Sequence, residues 1–321
     1  MKSHLFMRSL AVALGACLAF TVPTISQAAN STQKLEVARV GLLPNAETAA
    51  IRLGDKKGFF KEAGIDLKIT DTSSGAAAIT ALIAGQFDVV FANTVSVMQG
   101  RDKGLPLIMV DAASTSTGIN GKDFSALVVS SKSKFKTAKD LSGKTIASNT
   151  VKNIGEVTAR LSVAKAGGDA ASVKVVEMPF SNMEQALESG QIDAAWMVEP
   201  FHTTAKEHGL RDIASNYVDT APHLTAAAFV STDGIVKSKA DMIKRFRAAM
   251  AKTADYANSH PKEIREIIPT FTKITPEIAN TFVIPRYDSA VNVASLEAML
   301  PEMRKLGMIS KNFKVESVIY K

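Results

Sequence analysis

Cysteine is almost absent from this chain of 321 residues, since the sequence contains only Cys17. That residue lies in an N-terminal stretch that we expect to be removed, so the mature chain should have no disulfide, no thiol nucleophile and no cysteine metal site. Aromatic residues are also few, with one Trp and four Tyr. After the N-terminal stretch, no segment approaches the roughly 18 consecutive apolar residues that indicate a membrane-spanning helix. We therefore expect a soluble mature chain.

Enzyme signatures are missing as well. The chain has no Gly-x-Ser-x-Gly elbow, no phosphate-binding Gly-x4-Gly-Lys-Ser/Thr loop and no His-Glu-x-x-His zinc motif. His202 and His208 are spaced wrongly to act together as metal ligands on one helix face. Ser131 and Lys134 match Ser-x-x-Lys, but the companion motifs of penicillin-binding enzymes are absent. The sequence predicts a protein that is not an enzyme and that holds neither a metal ion nor a cofactor.

The charge of the chain does not favour a nucleic-acid partner. The formal net charge is +7, and it becomes +5 when two basic residues of the N-terminal stretch are removed. The basic residues are spread along the sequence, apart from five lysines between Lys132 and Lys144. The hydrophobic content of 46% and the charged content of 21% are ordinary for a globular protein. We expect a globular protein that does not bind nucleic acid.

Residues 1–28 are typical of a secretory signal peptide. Lys2 and Arg8 precede an apolar stretch over 10–22, and Ser26-Gln27-Ala28 matches the small-x-small pattern of a cleavage site. We therefore expect cleavage after Ala28 and a mature chain in the periplasm.

A lipoprotein signal is the alternative interpretation of this stretch. Cys17 follows a Leu and two small residues, which is the pattern at which a lipoprotein is cut and acylated. However, the apolar core continues through 18–20, whereas a lipoprotein usually becomes polar there. The cleaved signal peptide is the favoured interpretation.

A duplicated junction is the most informative pattern in the mature sequence. The segment ALIAGQFD at 81–88 reappears 105 positions later as ALESGQID at 186–193. Each copy has the pattern of a helix end, a glycine that can adopt a left-handed conformation, and an Asp before a buried apolar strand. The duplication predicts two lobes built alike.

Strand and helix patterns alternate over most of the chain. Strands are predicted at 37–42, 66–70, 88–92, 107–112, 126–130, 145–147, 173–177, 194–197 and 225–230, and helices lie between most of them. From 238 onward the pattern is helical without a convincing strand. This alternation predicts an α/β protein in which each lobe has a mostly parallel sheet flanked by helices.

The two lobes should be joined by two crossings of the chain. Small, turn-favouring residues at 114–121 indicate the first crossing, and the C-terminal helices indicate a return to the first lobe. We expect lobe 1 to contain 29–120 plus 232–321 and lobe 2 to contain 121–231. Two crossings form a two-strand hinge, which a closing clamp requires.

An ordered set of short motifs covers nearly all of 36–260. The set comprises GFFKEAGID at 58–66, SG at 74–75, AGQFD at 84–88, DLSGK at 140–144, GQIDAA at 190–195 and VEPF at 198–201. In this order the motifs resemble those of the periplasmic substrate-binding proteins of ABC importers, most closely the nitrate, sulfonate, taurine and thiamine-precursor group. The resemblance implies a two-lobed type II periplasmic-binding-protein fold, but it does not specify a ligand.

Polar side chains follow the predicted strands in both lobes. Ligands of open α/β sheets lie beyond the carboxyl ends of the strands, so these loops are the candidate binding site. Two of the candidates, Ser74 and Asn153, precede helices whose free N–H groups could hold an anion, although helix capping explains them equally well. The loop candidates are Asn45, Ser73, Ser74, Gly75, Asn93, Thr94, Asn149 and Asn153.

Two further candidates lie in the second lobe. Glu199 follows a buried strand and precedes Pro200, where a helix should begin. Its carboxylate could stabilise the first helical turn, or it could accept a hydrogen bond from the ligand at the mouth of the cleft. Phe180 is one of the aromatic residues closest to that loop, together with Trp196, which is expected mainly in the core.

These observations predict a receptor that closes on a small organic anion, such as a sulfonate or a carboxylate, and delivers it to the permease and ATPase subunits of an ABC importer. We expect a monomer. An enzyme of the thiamine-pyrimidine-synthase type on the same fold is an alternative. A resemblance to that enzyme would need a Cys-rich motif, and the expected mature chain has no cysteine. A sensory solute-binding subunit is the other alternative, since its binding event would be identical.

Overall fold

The computed structural model describes residues 35–321, so the expected signal peptide lies outside the described residues. The first part of the chain alternates strands and helices. Its elements are β1 (Glu36–Leu42), α1 (Ala49–Lys56), α2 (Phe59–Glu62), β2 (Ile65–Asp71), α3 (Gly75–Ile83), β3 (Val89–Asn93), α4 (Thr94–Asp102) and β4 (Leu107–Thr115).

The second part repeats this alternation and is followed by a strand and a group of helices. Its elements are β5 (Ser125–Val129), β6 (Thr145–Ser148), α5 (Ile154–Lys165), β7 (Lys174–Glu177), α6 (Phe180–Glu188), β8 (Ala194–Val198), α7 (Phe201–Glu207), β9 (Arg211–Ala214) and α8 (Asn216–Thr220). The C-terminal elements are β10 (Thr225–Thr232), α9 (Asp233–Ser238), α10 (Ala240–Ser259), α11 (Pro261–Ile267), α12 (Pro276–Thr281), α13 (Val293–Glu297) and α14 (Leu300–Lys305).

The strands form two five-stranded sheets with equivalent topology. The first has the order β2-β1-β3-β10-β4, and the second has the order β7-β6-β8-β5-β9. In each sheet four strands point the same way and the fourth in order, β10 or β5, is antiparallel to its neighbours. The predicted α/β class, with two mostly parallel sheets flanked by helices, is confirmed.

Strand β10 bears on the expected boundary between the lobes. The expected second lobe, 121–231, includes all but the last residue of this strand, yet the strand pairs with β3 and β4 of the first sheet. The segments before it and after β4 lie side by side, because the Ser116 N–H donates to the Leu224 carbonyl oxygen at 2.9 Å. We therefore propose 116–124 and 221–224 as the two crossings, which moves the second boundary toward the N-terminus.

The duplicated junction has the same geometry in both sheets. Helices α3 and α6 each lead to a glycine in the left-handed region, with φ of 75° at Gly85 and 74° at Gly190. A side chain at either position would be strained, which explains why both copies have glycine. The strands that follow, β3 and β8, occupy equivalent positions in their sheets.

The Asp of each copy binds the adjacent strand of its sheet, β1 in the first sheet and β6 in the second. The Asp88 N–H donates to the Arg39 carbonyl oxygen at 2.8 Å, and the Arg39 N–H donates to Asp88 Oδ2 at 3.0 Å. In the second sheet the Asp193 N–H donates to the Thr145 carbonyl oxygen at 2.9 Å, and the Thr145 N–H donates to Asp193 Oδ2 at 2.9 Å. Each carboxylate thus satisfies a backbone N–H group of the adjacent strand.

A shared hydrophobic cluster packs the two halves together. It includes Val97 of α4, Val157 of α5 and Met303 of α14, all fully buried. Next to it, Gln99 Nε2 donates to the Lys152 carbonyl oxygen at 2.5 Å. The C-terminal helix α14 therefore contributes to the contact between the halves.

The structure differs from the sequence expectation in a few short elements. Strand β9 and helix α8, of four and five residues, were not predicted, because such short segments show no periodic pattern. The helical pattern over 295–305 is divided between α13 and α14, and Pro301 lies in the first turn of α14, where proline is tolerated. No helix in the described part of the chain has the length and apolar character needed to cross a membrane.

Candidate ligand-binding site

A cavity lies where the carboxyl ends of strands from both sheets meet. Its inner part has about 30 Å³ of free space and its outer part about 260 Å³. Leu43 and Asn45 after β1, Asn149 after β6 and Phe180 after β7 line both parts. The two parts are therefore adjacent and lie between the halves of the chain.

Six of the ten predicted ligand-binding residues line this cavity. They come from the loops after β1, β2, β3, β6 and β7, as expected for a site at the carboxyl ends of the strands. These residues are Asn45, Ser73, Gly75, Asn93, Asn149 and Phe180.

Three of the other predicted residues have structural contacts close to the cavity. Ser74 Oγ accepts a hydrogen bond from the Ala77 N–H and caps α3. Asn153 caps α5, and its Nδ2 donates to Asn149 Oδ1 at 2.7 Å, so it positions a residue of the lining. Thr94 is fully buried, and its hydroxyl donates to the Thr225 carbonyl oxygen.

Glu199 does not line either part of the cavity and is fully buried. Its Oε2 accepts from the Thr203 N–H at 3.0 Å, and its Oε1 accepts from Thr203 Oγ1 at 2.8 Å and from the Val283 N–H at 3.2 Å. Protein groups thus occupy both carboxylate oxygens. These contacts do not support the hypothesis that Glu199 accepts a hydrogen bond from the ligand, and they favour a structural role.

Three helices begin at the inner part of the cavity. Gly75, Ile154 and Phe180 are the first residues of α3, α5 and α6, and each lines it. Helix N-termini carry free N–H groups and the positive end of the helix dipole. A Cβ at Gly75 would lie 3.3 Å from Ala92 Cα, so glycine lets α3 begin directly against β3.

Glu47 was not among the predicted ligand-binding residues, yet it lines the inner part. Asn45 Nδ2 donates to Glu47 Oε1 at 2.9 Å, and Ser114 Oγ donates to Glu47 Oε2 at 2.5 Å. Burial raises the pKa of the Glu47 carboxyl to about 7, and the hydrogen bonds from Ser114 and Asn45 limit the rise. This carboxyl can therefore be present in either protonation state near neutral pH.

Asn45 has a free acceptor at the same place. Asn45 as a whole is 2% exposed, and its Oδ1 has no hydrogen-bond partner among the described residues. When Glu47 is ionised, the orientation of the Asn45 amide is fixed, because only Nδ2 can donate to a carboxylate oxygen. Oδ1 is then the amide atom left for a ligand.

Aromatic side chains form a wall of the inner part. The ring centroids of Phe180 and Trp196 are 5.4 Å apart, and those of Trp196 and Tyr217 are 6.3 Å apart. Trp196 Nε1 donates to Ser125 Oγ at 2.8 Å, which fixes the indole. Trp196 is buried, as a core residue would be, but it also lines the cavity. This wall can pack against a flat or apolar part of a ligand.

The cavity lining contains little charge. Among the described residues that line its two parts, Glu47 is the only acidic residue, and none is Lys, Arg or His. An anionic ligand group would therefore have to be held by helix N-termini and amide donors. In the described residues, no group of three or more His, Cys, Asp or Glu side chains is arranged to hold a metal ion.

A family model described as NMT1/THI5 like matches residues 45–264. The chain therefore belongs to the NMT1/THI5-like family. This match includes Asn45 and the loops after β2, β3, β6 and β7, which supply much of the cavity lining.

The curated relatives share less than a third of their residues with this chain. A protein of Brucella abortus that is named only as a binding protein is 28% identical over 230 residues, which are 71% of this chain and 68% of the relative. The formylaminopyrimidine-binding protein of Halalkalibacterium halodurans is 22% identical over 264 residues, which are 81% and 78% of the two chains.

Solved structures share the fold at low sequence identity. The alkanesulfonate-binding protein SsuA from Xanthomonas axonopodis pv. citri, bound to MOPS, matches with a TM-score of 0.72 and 15% identity, covering 88% of this chain and 98% of that one. The periplasmic nitrate-binding protein NrtA from Synechocystis PCC 6803 also matches with a TM-score of 0.72, at 12% identity, covering 88% and 84%. The fold is that of the periplasmic binding proteins.

Proposed function

We propose that this protein is an extracytoplasmic receptor that binds one small organic solute between its two lobes and delivers it to an ABC importer. The observation that carries this proposal is a cavity lined from both sheets, with Asn45 and Glu47 on one side and Asn149 and Phe180 on the other. Differential affinity for open and closed states would let the importer distinguish loaded from empty receptor. The partners would be the permease and ATPase subunits, with the receptor acting as a monomer.

The ligand's acceptor or anionic end would lie at the N-termini of α3, α5 and α6. This follows from the positive ends of the three helices at the inner cavity. The other end of the ligand would meet Asn45 and Glu47. These two residues, in place of Glu199, would accept the hydrogen bond that the sequence analysis assigned to a carboxylate. A sulfonate or carboxylate with a polar substituent fits this arrangement, and the names of the sulfonate- and formylaminopyrimidine-binding relatives are consistent with it.

We propose that the protein forms and breaks no covalent bonds. The curated relatives that match it are named as binding proteins, which supports this choice over an enzyme of the thiamine-pyrimidine-synthase type. A sensory subunit would use the same binding event, and the membrane protein that captures the loaded receptor would distinguish sensing from import.

A thermal-shift screen tests the receptor proposal. The mature protein would be mixed with nitrate, alkanesulfonates, taurine, aromatic acids and pyrimidines, and a ligand at about 100 times its dissociation constant should add roughly 2.7 kcal/mol of stability. Small-angle scattering should then show a smaller radius of gyration with that ligand, because closure brings the lobes together. A ligand that binds without compaction would argue against a clamp.

Export provides a second prediction. If Ser26-Gln27-Ala28 is the cleavage site, protein recovered from the periplasm should have the intact mass of a chain that begins at Ala29. Mass spectrometry of the periplasmic and membrane fractions makes the measurement. A diacylated chain that begins at Cys17, recovered with the membranes, would instead establish a lipoprotein.

A further inference from the structure

We infer that Asn45 and Glu47 select solutes that carry an amino N–H group, so that the receptor distinguishes an amino-substituted solute from its unsubstituted analogue. This inference rests on the proposed receptor function and specifies its ligand. The selection would be made by these two hydrogen-bond acceptors in the lining of the inner cavity, while helix N-termini in the same lining receive the other end of the solute.

The first observation is the free oxygen of Asn45. Its Nδ2 is used by Glu47, and its Oδ1 is buried without a partner among the described residues. Nearly all buried polar atoms in folded proteins have a partner. Because Asn45 lines both parts of the cavity, we assign a donor on the ligand as the partner of this oxygen. A helix cap or a loop hydrogen bond does not explain this oxygen, because it makes neither.

The second observation is the rigidity of the segment that carries the two acceptors. The Tyr287 hydroxyl donates to the Ala46 carbonyl oxygen at 2.8 Å, and the Thr48 N–H donates to the Asn45 carbonyl oxygen at 3.2 Å. Ser114, which is fully buried, holds the Glu47 carboxyl from the first sheet. The acceptors are therefore positioned before any ligand binds, which reduces the entropic cost of binding.

The third observation is the chemistry of the pair. A carboxylate and an amide oxygen both accept hydrogen bonds, and each Glu47 oxygen has one partner in the structure and can accept another. Two neighbouring acceptors suit an amino group, which has more than one hydrogen to donate. An unsubstituted analogue would leave the Asn45 oxygen buried without a partner, and sites built on hydrogen bonds discriminate strongly against such analogues.

Matched pairs of solutes test the inference directly. The pairs are 2-aminoethanesulfonate with ethanesulfonate, 4-aminobenzoate with benzoate, and 4-aminopyrimidine with pyrimidine, measured by calorimetry on the mature protein. In at least one pair the amino member should bind about 10- to 100-fold more tightly, the range for one or two hydrogen bonds to buried acceptors. If the unsubstituted members bind equally well, or if no amino member binds, the inference is wrong.

Two asparagine variants provide the matched comparison. Asn292 lies outside the cavity lining, and both ends of its amide are occupied, since its Oδ1 accepts from the Ser295 N–H at 3.3 Å and its Nδ2 donates to the His223 carbonyl oxygen at 3.1 Å. Asn45→Ala should reduce the preference for the amino member to threefold or less, whereas Asn292→Ala should preserve the preference. An equal loss in both variants would show a general effect on the fold and would overturn the assignment.

A third variant covers the case in which Asn45→Ala does not fold. Glu47→Gln keeps the shape of the side chain but gives it an N–H₂ group that competes with an amino ligand, so the preference should fall at least tenfold. An unchanged preference in Glu47→Gln would contradict the inference.

The wider screen distinguishes failure of this inference from failure of the receptor proposal. If an unsubstituted solute binds equally well and compacts the protein, the receptor function stands and only the amino selectivity fails. If no solute of the wider screen binds, the receptor proposal itself fails.

Discussion

Replacing Asp88 with alanine should lower the free energy of unfolding by about 3 kcal/mol, which is the lower end of the range for breaking a buried ion pair. The Asp88 side chain is 1% exposed and lies within 2.9 Å of both Arg39 Nη2 and Lys239 Nζ. It also accepts hydrogen bonds from the N–H and Nε of Arg39. The two cations are about 45% and 34% exposed and can regain water, so the loss should not reach the upper end of the range.

Asp193 supplies the matched control for this prediction. It occupies the equivalent place in the second sheet and accepts from the Thr145 N–H, but the ion pairs of the described residues do not include it. Asp193→Ala should therefore cost only about 1 kcal/mol, the value of one hydrogen bond. Urea unfolding measures both variants. Equal losses would mean that the pairs of Asp88 with Arg39 and Lys239 add no stability.

The pH dependence of stability isolates the charge of Asp88. Burial alone would raise its pKa, but the hydrogen bonds from Arg39 and Lys239 outweigh burial and lower the pKa to about 2. Because the folded pKa lies below the unfolded value of about 3.8, the carboxylate stabilises the fold above that value and loses its contribution as the pH falls toward 2. The contribution corresponds to roughly 2 kcal/mol. Asp88→Asn should lack this part of the acid transition.

The fold could be predicted from the sequence because its evidence is local. Alternating strand and helix patterns identify the α/β class, and the two copies at 81–88 and 186–193 show that the unit occurs twice. The sheet to which β10 belongs could not be predicted in this way. Its residues, TAAAFVST, would suit a buried strand of either sheet. Only the observed pairing with β3 and β4 shows that the strand belongs to the first sheet.

The site was less predictable because its decisive contacts join distant residues. Ser114, which donates to the Glu47 carboxyl, lies 67 positions further along the chain. The sequence around Glu47 shows only an acidic residue near the start of a helix, so its buried role could not be predicted. Val283, which donates to Glu199, lies 84 positions beyond it. The loops after the strands were nevertheless the correct region to search, since ligand sites of such sheets lie at the carboxyl ends of the strands for topological reasons.

Glu199 is the centre of a buried charge cluster in the second half of the chain. His202 Nδ1 lies 3.4 Å from Glu199 Oε1, and His202 Nε2 lies 2.7 Å from Asp212 Oδ1. Burial alone would lower the pKa of His202, but the hydrogen bond with Asp212 and the nearby Glu199 carboxylate outweigh burial and raise the pKa to about 9. The folded pKa is above the unfolded value of about 6.5, so His202 stabilises the fold fully below that pH and loses its contribution as the pH rises through about 9.

Glu199→Ala should destabilise the protein by about 3 to 4 kcal/mol, because it leaves the N–H groups of Thr203 and Val283 without an acceptor in a buried place and removes the carboxylate beside His202. Glu199→Gln keeps the shape and should cost less, and it should weaken the loss of stability between pH 6.5 and 9, because the pKa of His202 falls when its neighbour is neutral. Urea unfolding across this pH range measures both effects.

Calorimetry of Glu199→Gln with the solute found by screening then distinguishes the structural role of Glu199 from a role in binding the ligand. A dissociation constant within threefold of that of the unmodified protein supports a structural role for Glu199. A tenfold loss of affinity at unchanged stability would instead indicate that Glu199, and not Glu47, is the carboxylate that binds the ligand.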